Sequence, residues 1–255
     1  IPIVNFINTI SKLIAMKILI TGGSGALGSS LKKAFKGAFC PSHREMDITD
    51  KNSVEKAILG YKPDLLIHTA ALVGIRECED DRKKAWLTNV VGTQNIVDSL
   101  KKLNSKCYLI YISTACIFAG DNKKYYCEDD IPAPKNYYSI TKLCGEIVTR
   151  QYGNACIIRT NFVPKEPWKY PKAFIDRFGT YLFSDNVAKG IFDVLKKKER
   201  GIVHIVGNQR ISMFKLAKLA GSKNVGKMFL SQYKGPPLTI DMSLSSKRWR
   251  KYKIE

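Results

Sequence analysis

The chain has 255 residues, of which 45% are hydrophobic and 25% are charged. This balance is typical of a globular protein that buries a proper core, so disulfide or metal cross-links are not needed for folding. The formal net charge of +20 suits a polyanionic partner, but a lysine-rich solvated surface has the same composition, and we do not expect nucleic-acid binding.

Seven cysteines are scattered along the sequence, and no two of them form a C-x-x-C pair. This pattern argues for reduced thiols in a reducing compartment, and against a zinc site or a disulfide framework. No apolar run of the sequence reaches the length of a membrane span. We therefore expect a cytoplasmic protein that has no metal site and does not associate with a membrane.

The first fifteen residues, IPIVNFINTISKLIA, lack a basic start and a continuous apolar block, so a signal peptide is not expected. Met16 is followed at once by a strong strand pattern, KILIT. We expect Met16 to be the natural start and residues 1–15 to be an upstream extension. A short helix packed on the surface is the alternative.

Strand and helix patterns alternate along the rest of the chain. The predicted strands lie at 17–21, 38–40, 64–70, 106–114, 155–160 and 202–206. The first predicted helix ends at Gly37, and the second covers 51–60 with Asp50 as its cap. A third covers 77–103, and a fourth carries Tyr138 and Lys142. The remaining predicted helices lie at 184–198, 211–221 and 243–252.

Continuous Val/Ile/Leu strands separated by helices predict a parallel sheet covered on both faces. The fold class is therefore α/β, a doubly wound parallel sheet of the Rossmann type with a small C-terminal cap. We expect residues 16–160 to form the Rossmann domain, with 184–206 returning to it. The proline-rich piece 161–183 breaks the alternation, and it forms the predicted cap together with 207–255.

A glycine-rich loop, TGGSGALG at 21–28, lies directly between the first strand and the first helix. Glycines let the backbone turn tightly and let a pyrophosphate approach the N-terminus of the helix. The loop predicts a dinucleotide site formed by Gly22, Gly25, Ala26, Leu27 and Gly28.

The choice of nucleotide depends on the end of the second strand, where a carboxylate would hold the ribose hydroxyls of NAD. The stretch CPSHREMD at 40–47 has no carboxylate at the expected place near Ser42, and His43 and Arg44 follow. A hydroxyl and a guanidinium suit a 2′-phosphate. The sequence therefore favours NADPH as the cofactor and leaves NADH as the alternative.

Further along, NYYSITK at 136–142 sets Tyr138 four residues ahead of Lys142. On a helix these two side chains share a face, and a nearby ammonium makes a phenol a better acid. The spacing alone does not separate a catalytic pair from two surface residues.

The chain resembles the extended short-chain dehydrogenases/reductases. The motifs that carry this resemblance stand in the family's order and spacing: TGGSGALG, IHTAA, TNVVGTQNI, YISTACIFAG, NYYSITKLCGE and IIRT. Within these the chain is most similar to the dTDP-4-dehydrorhamnose reductase group, through MDITD, EDDIPAPKNYYSITK and the terminal PPLTIDMSLSSKRWRKYKI. The resemblance covers about residues 16–255.

The resemblance implies roles for individual residues. Tyr138 matches the catalytic acid, Lys142 its partner that also holds the nicotinamide ribose, and Thr114 the hydroxyl that completes the triad. Further cofactor contacts are implied for Asp47, Ile48, Ala70 and Ala71, and sugar-side positions for Val73, Ser113, Ala115, Cys116, Asn161 and Trp168.

The implied activity is NADPH-dependent reduction of a nucleotide-activated 4-keto-6-deoxy sugar in dTDP-rhamnose biosynthesis, with hydride going to the C4 carbonyl and Tyr138 giving the proton. A nucleotide-sugar epimerase or dehydratase with tightly bound NAD is one alternative. A non-catalytic subunit, similar to the regulatory subunit of methionine adenosyltransferase, is another. The oligomeric state is left open, and a homodimer is compatible with the resemblance.

Several positions depart from the group and alter the expected sugar pocket. Ala115 and Cys116 stand where the group has Asp-Tyr, and NFVPKEPW replaces its W-V-Y-G pattern. The cap has four cations that suit a diphosphate, namely Lys165, Lys169, Lys172 and Arg177, and aromatics that include Trp168, Tyr170 and Phe174. The alternative is that the lysines are solvated and the aromatics belong to the core.

Overall fold

A computed structural model describes residues 16–103, 106–121 and 125–255. The predicted extension at residues 1–15 lies outside the described residues. The strands are β1 (Ile18–Thr21), β2 (Leu65–His68), β3 (Tyr108–Thr114), β4 (Ala155–Thr160), β5 (Phe162–Val163), β6 (Lys172–Phe174), β7 (Phe178–Gly179), β8 (Leu182–Phe183), β9 (Gly201–His204), β10 (Val206–Gly207), β11 (Ile211–Ser212), β12 (Gly226–Met228), β13 (Asp241–Met242) and β14 (Lys251–Tyr252).

The helices alternate with the longer strands. They are α1 (Ala26–Ala34), α2 (Lys51–Tyr61), α3 (Ile75–Asp80), α4 (Arg82–Trp86), α5 (Gly92–Lys102), α6 (Tyr137–Arg150), α7 (Ser184–Lys197) and α8 (Met213–Leu219). A π-helical turn, Leu87–Val91, joins α4 to α5, and single 3-10 turns lie at Ala115–Ile117 and Leu230–Gln232. As predicted, Asp50 caps α2 by accepting a hydrogen bond from the Asn52 amide.

The main sheet has five parallel strands in the order β1-β2-β3-β4-β9. On the other side of β1, Phe39 forms a parallel bridge with Leu19. The chain therefore leaves β1 first to one side and then to the other, so β1 is the switch point of the sheet. Ligands of open α/β sheets bind at the carboxyl ends of the strands around such a point.

Helices cover both faces of this sheet. One face packs on α1 and α7 through an apolar cluster that includes Leu31 and Ile191. The other packs on α2, α5 and α6 through a cluster that includes Ile58, Ile96 and Val148. The predicted fold class, a doubly wound parallel sheet, is confirmed.

Three predicted elements differ from the structure. The strand predicted at 38–40 is reduced to the single bridge at Phe39. The helix predicted over 77–103 is interrupted because the Asp81 side chain accepts a hydrogen bond from the Lys84 amide and starts a new helix. The π-helical turn then precedes α5.

The predicted helix over 243–252 is wrong, because its backbone amides have other partners. Ser246 Oγ accepts hydrogen bonds from the amides of Arg248 and Trp249 at 3.2 and 2.7 Å. The Lys247 amide donates to Glu128 Oε2 at 3.0 Å. Such acceptors compete with helix formation, and the segment bends and ends in β14.

Small sheets connect the two parts of the predicted cap. β6 pairs with β12, and β7 pairs with both β11 and β13. The last strand, β14, pairs with β10, and Tyr252 packs in the apolar cluster of α1 and α7. The division into a Rossmann domain and a cap stays a prediction.

Among residues 16–103, 106–121 and 125–255, no helix is both long enough and apolar enough to cross a membrane. Within the same part of the chain, no three His, Cys, Asp or Glu side chains gather in a way that could hold a metal ion.

Candidate active site

The glycine loop forms a tight cradle between β1 and α1. Gly22 has a φ of +70°, and the Gly25 amide donates to the Gly22 carbonyl at 3.0 Å. A Cβ at Gly28 would lie 2.1 Å from the Gly22 oxygen, so only glycine fits there. Gly25 is the N-cap of α1 and no side chain caps it, which leaves the start of the helix free for an anion. Ala26 and Leu27 form the first turn of this helix.

The end of β2 supports the cradle from the side. His68 bonds to the hydroxyls of Thr21 and Thr93 at 2.7 and 3.1 Å, and burial lowers the pKa of His68 to about 3, so the ring is neutral. The Ala70 amide donates to Thr21 Oγ1 at 3.3 Å. Ala70 and Ala71 therefore follow β2 at the same edge of the sheet as the glycine loop.

The predicted adenine side lies after the Phe39 bridge. Asp47 accepts hydrogen bonds from the amide and the hydroxyl of Thr49 at 2.9 and 2.8 Å, and Ile48 is buried. A cavity of about 330 Å³ opens here. Its lining residues are His43, Thr49, Asp81, Lys83, Lys84, Leu87 and Thr88.

Ser42, His43 and Arg44 are all exposed. The carboxylate of the next residue, Glu45, lies close to Ser42, which we did not predict from the sequence. Glu45 folds back so that its Oε2 accepts a hydrogen bond from the Ser42 amide at 2.7 Å. Hydrogen bonds from Ser42 lower the pKa of Glu45. The signal was present in the sequence, because a glutamate three residues after a serine often bonds to the serine amide in this way.

Thr114, Tyr138 and Lys142 meet at the carboxyl end of β3. Thr114 is the last residue of β3, and its side chain lies beside the phenol of Tyr138. Tyr138 and Lys142 lie one turn apart on α6, whose start is fixed by Asn136, since the Asn136 side chain accepts from the Ser139 amide at 3.0 Å. The structure thus brings together the three residues predicted to be catalytic.

Burial dominates the electrostatics of these residues. It raises the pKa of the Tyr138 phenol, and the Thr114 side chain opposes that rise. Burial also lowers the pKa of Lys142 to about 7, and the carboxylate of Glu146 opposes this shift. The Lys142 amine can therefore gain or lose a proton near neutral pH.

Ser113 belongs to a buried polar network. Its hydroxyl donates to Glu146 Oε1 at 2.5 Å. Arg159 donates to both oxygens of the same carboxylate, from Nε at 3.0 Å and from Nη2 at 2.8 Å. Ser113 was predicted on the substrate side, but its hydroxyl is already bonded within the protein. The network ties α6 to β3 and β4.

Asn89 was absent from our predicted site residues, although it lies in the TNVVGTQNI motif. Its Oδ1 accepts from the Leu72 amide at 2.8 Å, and its Nδ2 donates to the Leu72 carbonyl at 3.0 Å and to Thr141 Oγ1 at 2.9 Å. Asn89 therefore holds the loop after β2 against α6. A buried amide within a π-helical turn, an irregularity frequent at functional sites, has no signature in hydrophobic periodicity.

The residues predicted on the sugar side divide into two groups. Ala115 and Cys116 are buried next to Thr114, and Asn161 bonds to the Met242 carbonyl at 2.9 Å. Cys116 Sγ lies 3.3 Å from Met242 Sδ, so these residues form one wall. Val73 is exposed. The indole of Trp168 bonds to the Lys172 carbonyl and packs on Tyr170, and no described contact joins it to that wall.

The chain is similar to known proteins along most of its length. Residues 16–227 match the family described as RmlD substrate binding domain. A GDP-6-deoxy-D-talose 4-dehydrogenase from Aggregatibacter actinomycetemcomitans is 34% identical over 144 residues, which is 54% of this chain and 48% of that protein. Methionine adenosyltransferase 2 subunit beta from Pongo abelii is 32% identical over 141 residues, covering 51% of this chain and 41% of that protein.

Among solved structures, dTDP-4-dehydrorhamnose reductase from Bacillus anthracis in complex with NADP superposes with a TM-score of 0.82. It is 22% identical, and 90% of each chain is covered, so this likeness shows the fold. The chain spans about half the length of the first curated relatives it matches.

Proposed function

The chain belongs to the RmlD substrate binding domain family, and from that premise we propose that it is an NADP-dependent reductase of a keto group on a nucleotide-activated 6-deoxy sugar. The NADP-bound structural neighbour and the GDP-6-deoxy-D-talose relative support the cofactor and the substrate class. Reduction of the C4 carbonyl, as in dTDP-rhamnose biosynthesis, is the reaction we assign. NADPH is the favoured cofactor and NADH the alternative.

The observation that carries this proposal is that Thr114 lies beside the Tyr138 phenol at the edge of the sheet that also bears the glycine cradle. The cradle of Gly22, Gly25 and Gly28 would hold the pyrophosphate of the cofactor. When bound, the cofactor supplies a hydride to the carbonyl carbon.

The chain's own residues handle the proton. Tyr138 holds a proton on its phenol oxygen and gives it to the carbonyl oxygen as negative charge develops there. Thr114 keeps the phenol in position and donates toward the same oxygen. The ammonium of Lys142, on the same face of α6, favours the phenolate that remains after transfer.

The proposal is tested by incubating the protein with NADPH and a panel of nucleotide-linked 4-keto sugars, and following the loss of nicotinamide absorbance. Turnover is expected with at least one member of the panel and none with the matched 4-hydroxy sugars. A protein that binds NADPH but consumes it with no keto sugar would contradict the reductase assignment.

A second candidate is a non-catalytic partner subunit. It is favoured by the similarity to methionine adenosyltransferase 2 subunit beta and by Ala115 and Cys116, which stand where the reductase group has Asp-Tyr. The complete set of Thr114, Tyr138 and Lys142 argues against it. A cytoplasmic location and a homodimer stay predictions, as does the epimerase or dehydratase alternative.

A further inference from the structure

A buried arginine of the predicted cap has no acidic partner. Arg177 is 7% exposed, and its Nε donates to the Thr239 carbonyl at 2.9 Å. Its two terminal nitrogens face sulfur atoms, Met213 Sδ at 3.4 Å and Met242 Sδ at 3.5 Å. A thioether is only a weak acceptor. Among the described residues, no carboxylate bonds to Arg177, and the remaining residues of the chain include no Asp or Glu.

The contacts of Arg177 differ from those of Arg159, a second buried arginine. Arg159 is 1% exposed, and its guanidinium binds both oxygens of Glu146, as expected for a buried charge. The acids near Arg177 have other partners. Both oxygens of Asp176 accept from the Leu230 amide, and Asp241 pairs with Arg210 at 2.8 Å.

A buried tyrosine is the second polar group of this region. Tyr181 is 5% exposed, and its hydroxyl has no hydrogen-bond partner among the described residues. Tyr181 shares an apolar cluster with Met213 and Met242, and the Arg177 guanidinium contacts the sulfur atoms of both methionines. Burial raises the pKa of the Tyr181 phenol, and the Arg177 guanidinium opposes that rise. Buried hydroxyls are nearly always hydrogen-bonded. This cluster therefore holds a phenol without a partner among the described residues and a guanidinium whose terminal nitrogens contact only weakly accepting thioethers.

Short contacts connect this region to the reaction site. The Arg177 guanidinium contacts Met242 Sδ, which in turn lies 3.3 Å from Cys116 Sγ. The Cys116 amide donates to Thr114 Oγ1 at 3.1 Å. Arg177 therefore belongs to the wall next to the triad, whereas the other cap cations, Lys165, Lys169 and Lys172, are all exposed.

We propose that Arg177 and Tyr181 form an oxyanion subsite that binds a phosphate or carboxylate group of the substrate. The two terminal nitrogens of the guanidinium suit two oxygens of one anion, and the phenol supplies a third donor. The diphosphate of a nucleotide sugar and the carboxylate of an acidic sugar are the two sources of such a group. The inference rests on the proposed function for the identity of the substrate, but anion binding is measured without turnover.

The test measures binding to the NADP-saturated protein by calorimetry, with UDP, dTDP, glucuronate and, as a neutral control, uridine. In Arg177→Gln the affinity for the anion that uses the subsite is expected to fall at least about tenfold, the loss of one charge-assisted hydrogen bond. Uridine binding stays unchanged. Loss with UDP and dTDP identifies the diphosphate as the source, and loss with glucuronate alone identifies a sugar carboxylate. Unchanged affinity for every anion overturns the proposal.

Further variants test whether a loss of affinity comes from misfolding. Arg210→Gln removes a cap arginine that already pairs with Asp241, and it should bind anions as the wild type does. Tyr181→Phe removes a hydroxyl with no described partner, so its melting temperature without ligand should not fall. Tyr152→Phe, which loses a 2.8 Å bond to the Cys107 carbonyl, should melt lower. If Arg177→Gln does not fold, an undiminished rise in the melting temperature of Tyr181→Phe on adding the anion overturns the proposal.

The outcomes separate the subsite from the reductase. If no keto sugar is reduced but Arg177→Gln still loses anion affinity, the proposed function fails and the subsite stands. If a keto sugar is reduced and Arg177→Gln binds all anions normally, the reductase stands and the subsite fails.

Discussion

The ammonium nitrogen of Lys142 lies 4.2 Å from the centroid of the Tyr111 ring, and Lys142 is 4% exposed. The face of the ring replaces part of the water that a lysine normally binds. This compensation is incomplete, because burial still lowers the pKa of Lys142 to about 7. In the unfolded chain the pKa of a lysine is about 10.4.

The first prediction follows from these two pKa values. Between about pH 7 and pH 10 the unfolded chain keeps a proton on Lys142 that the folded protein has released, so stability contributed by this site rises with pH. Below pH 7 the folded protein must hold the buried ammonium, and the cost is largest there. We compare the free energy of unfolding of the wild type with that of Lys142→Met. The difference should increase in favour of the wild type by on the order of 1 kcal/mol for each pH unit between the two pKa values. Parallel pH profiles for the two proteins in urea unfolding would contradict it.

The second prediction concerns the acid. Tyr138→Phe keeps the packing of the ring and removes only the proton donor, so kcat should fall by about a hundredfold or more. Its affinity for NADPH should stay within a few-fold of the wild type, as measured by fluorescence. Tyr137→Phe is the control, since Tyr137 is the neighbouring residue and its ring packs under Arg82. If Tyr138→Phe turns over within a few-fold of wild type, another group is the acid.

The glycine cradle and the sheet could be predicted from the sequence because their determinants are local. TGGSGALG follows a strand and starts a helix, and continuous apolar runs predict buried parallel strands. The segment 243–252 was mispredicted because its amides bond to Ser246 and to the distant Glu128. The environment of Arg177 was likewise not predictable, because its contacts come from Thr239, Met213 and Met242, which are far away in the chain.

The third prediction concerns the choice between cofactors. Arg44→Ala should reduce the difference between the dissociation constants of NADPH and NADH. The substitution removes the guanidinium that would bind two oxygens of the 2′-phosphate. Glu45→Gln should widen it, because the carboxylate that accepts from the Ser42 amide would repel that phosphate. Fluorescence titration with both nucleotides measures the two ratios. Equal affinities of the wild type for NADPH and NADH would refute the assignment of Ser42, His43 and Arg44 to the 2′-phosphate.

The last prediction concerns the buried pair behind the triad. Glu146 and Arg159 are both almost completely buried and bond through two contacts, so neutralising one partner leaves the other charge without compensation. Glu146→Gln should therefore lower the free energy of unfolding by about 3–5 kcal/mol. The exposed pair of Lys247 and Asp129, at 3.0 Å, is the matched control, and Asp129→Asn should cost less than about 1 kcal/mol. Because Glu146 also accepts from Ser113, beside Thr114, the same change should loosen the triad and lower kcat more than it raises KM. Equal and small losses of stability in urea for the two variants would show that the buried network does not hold α6 in place.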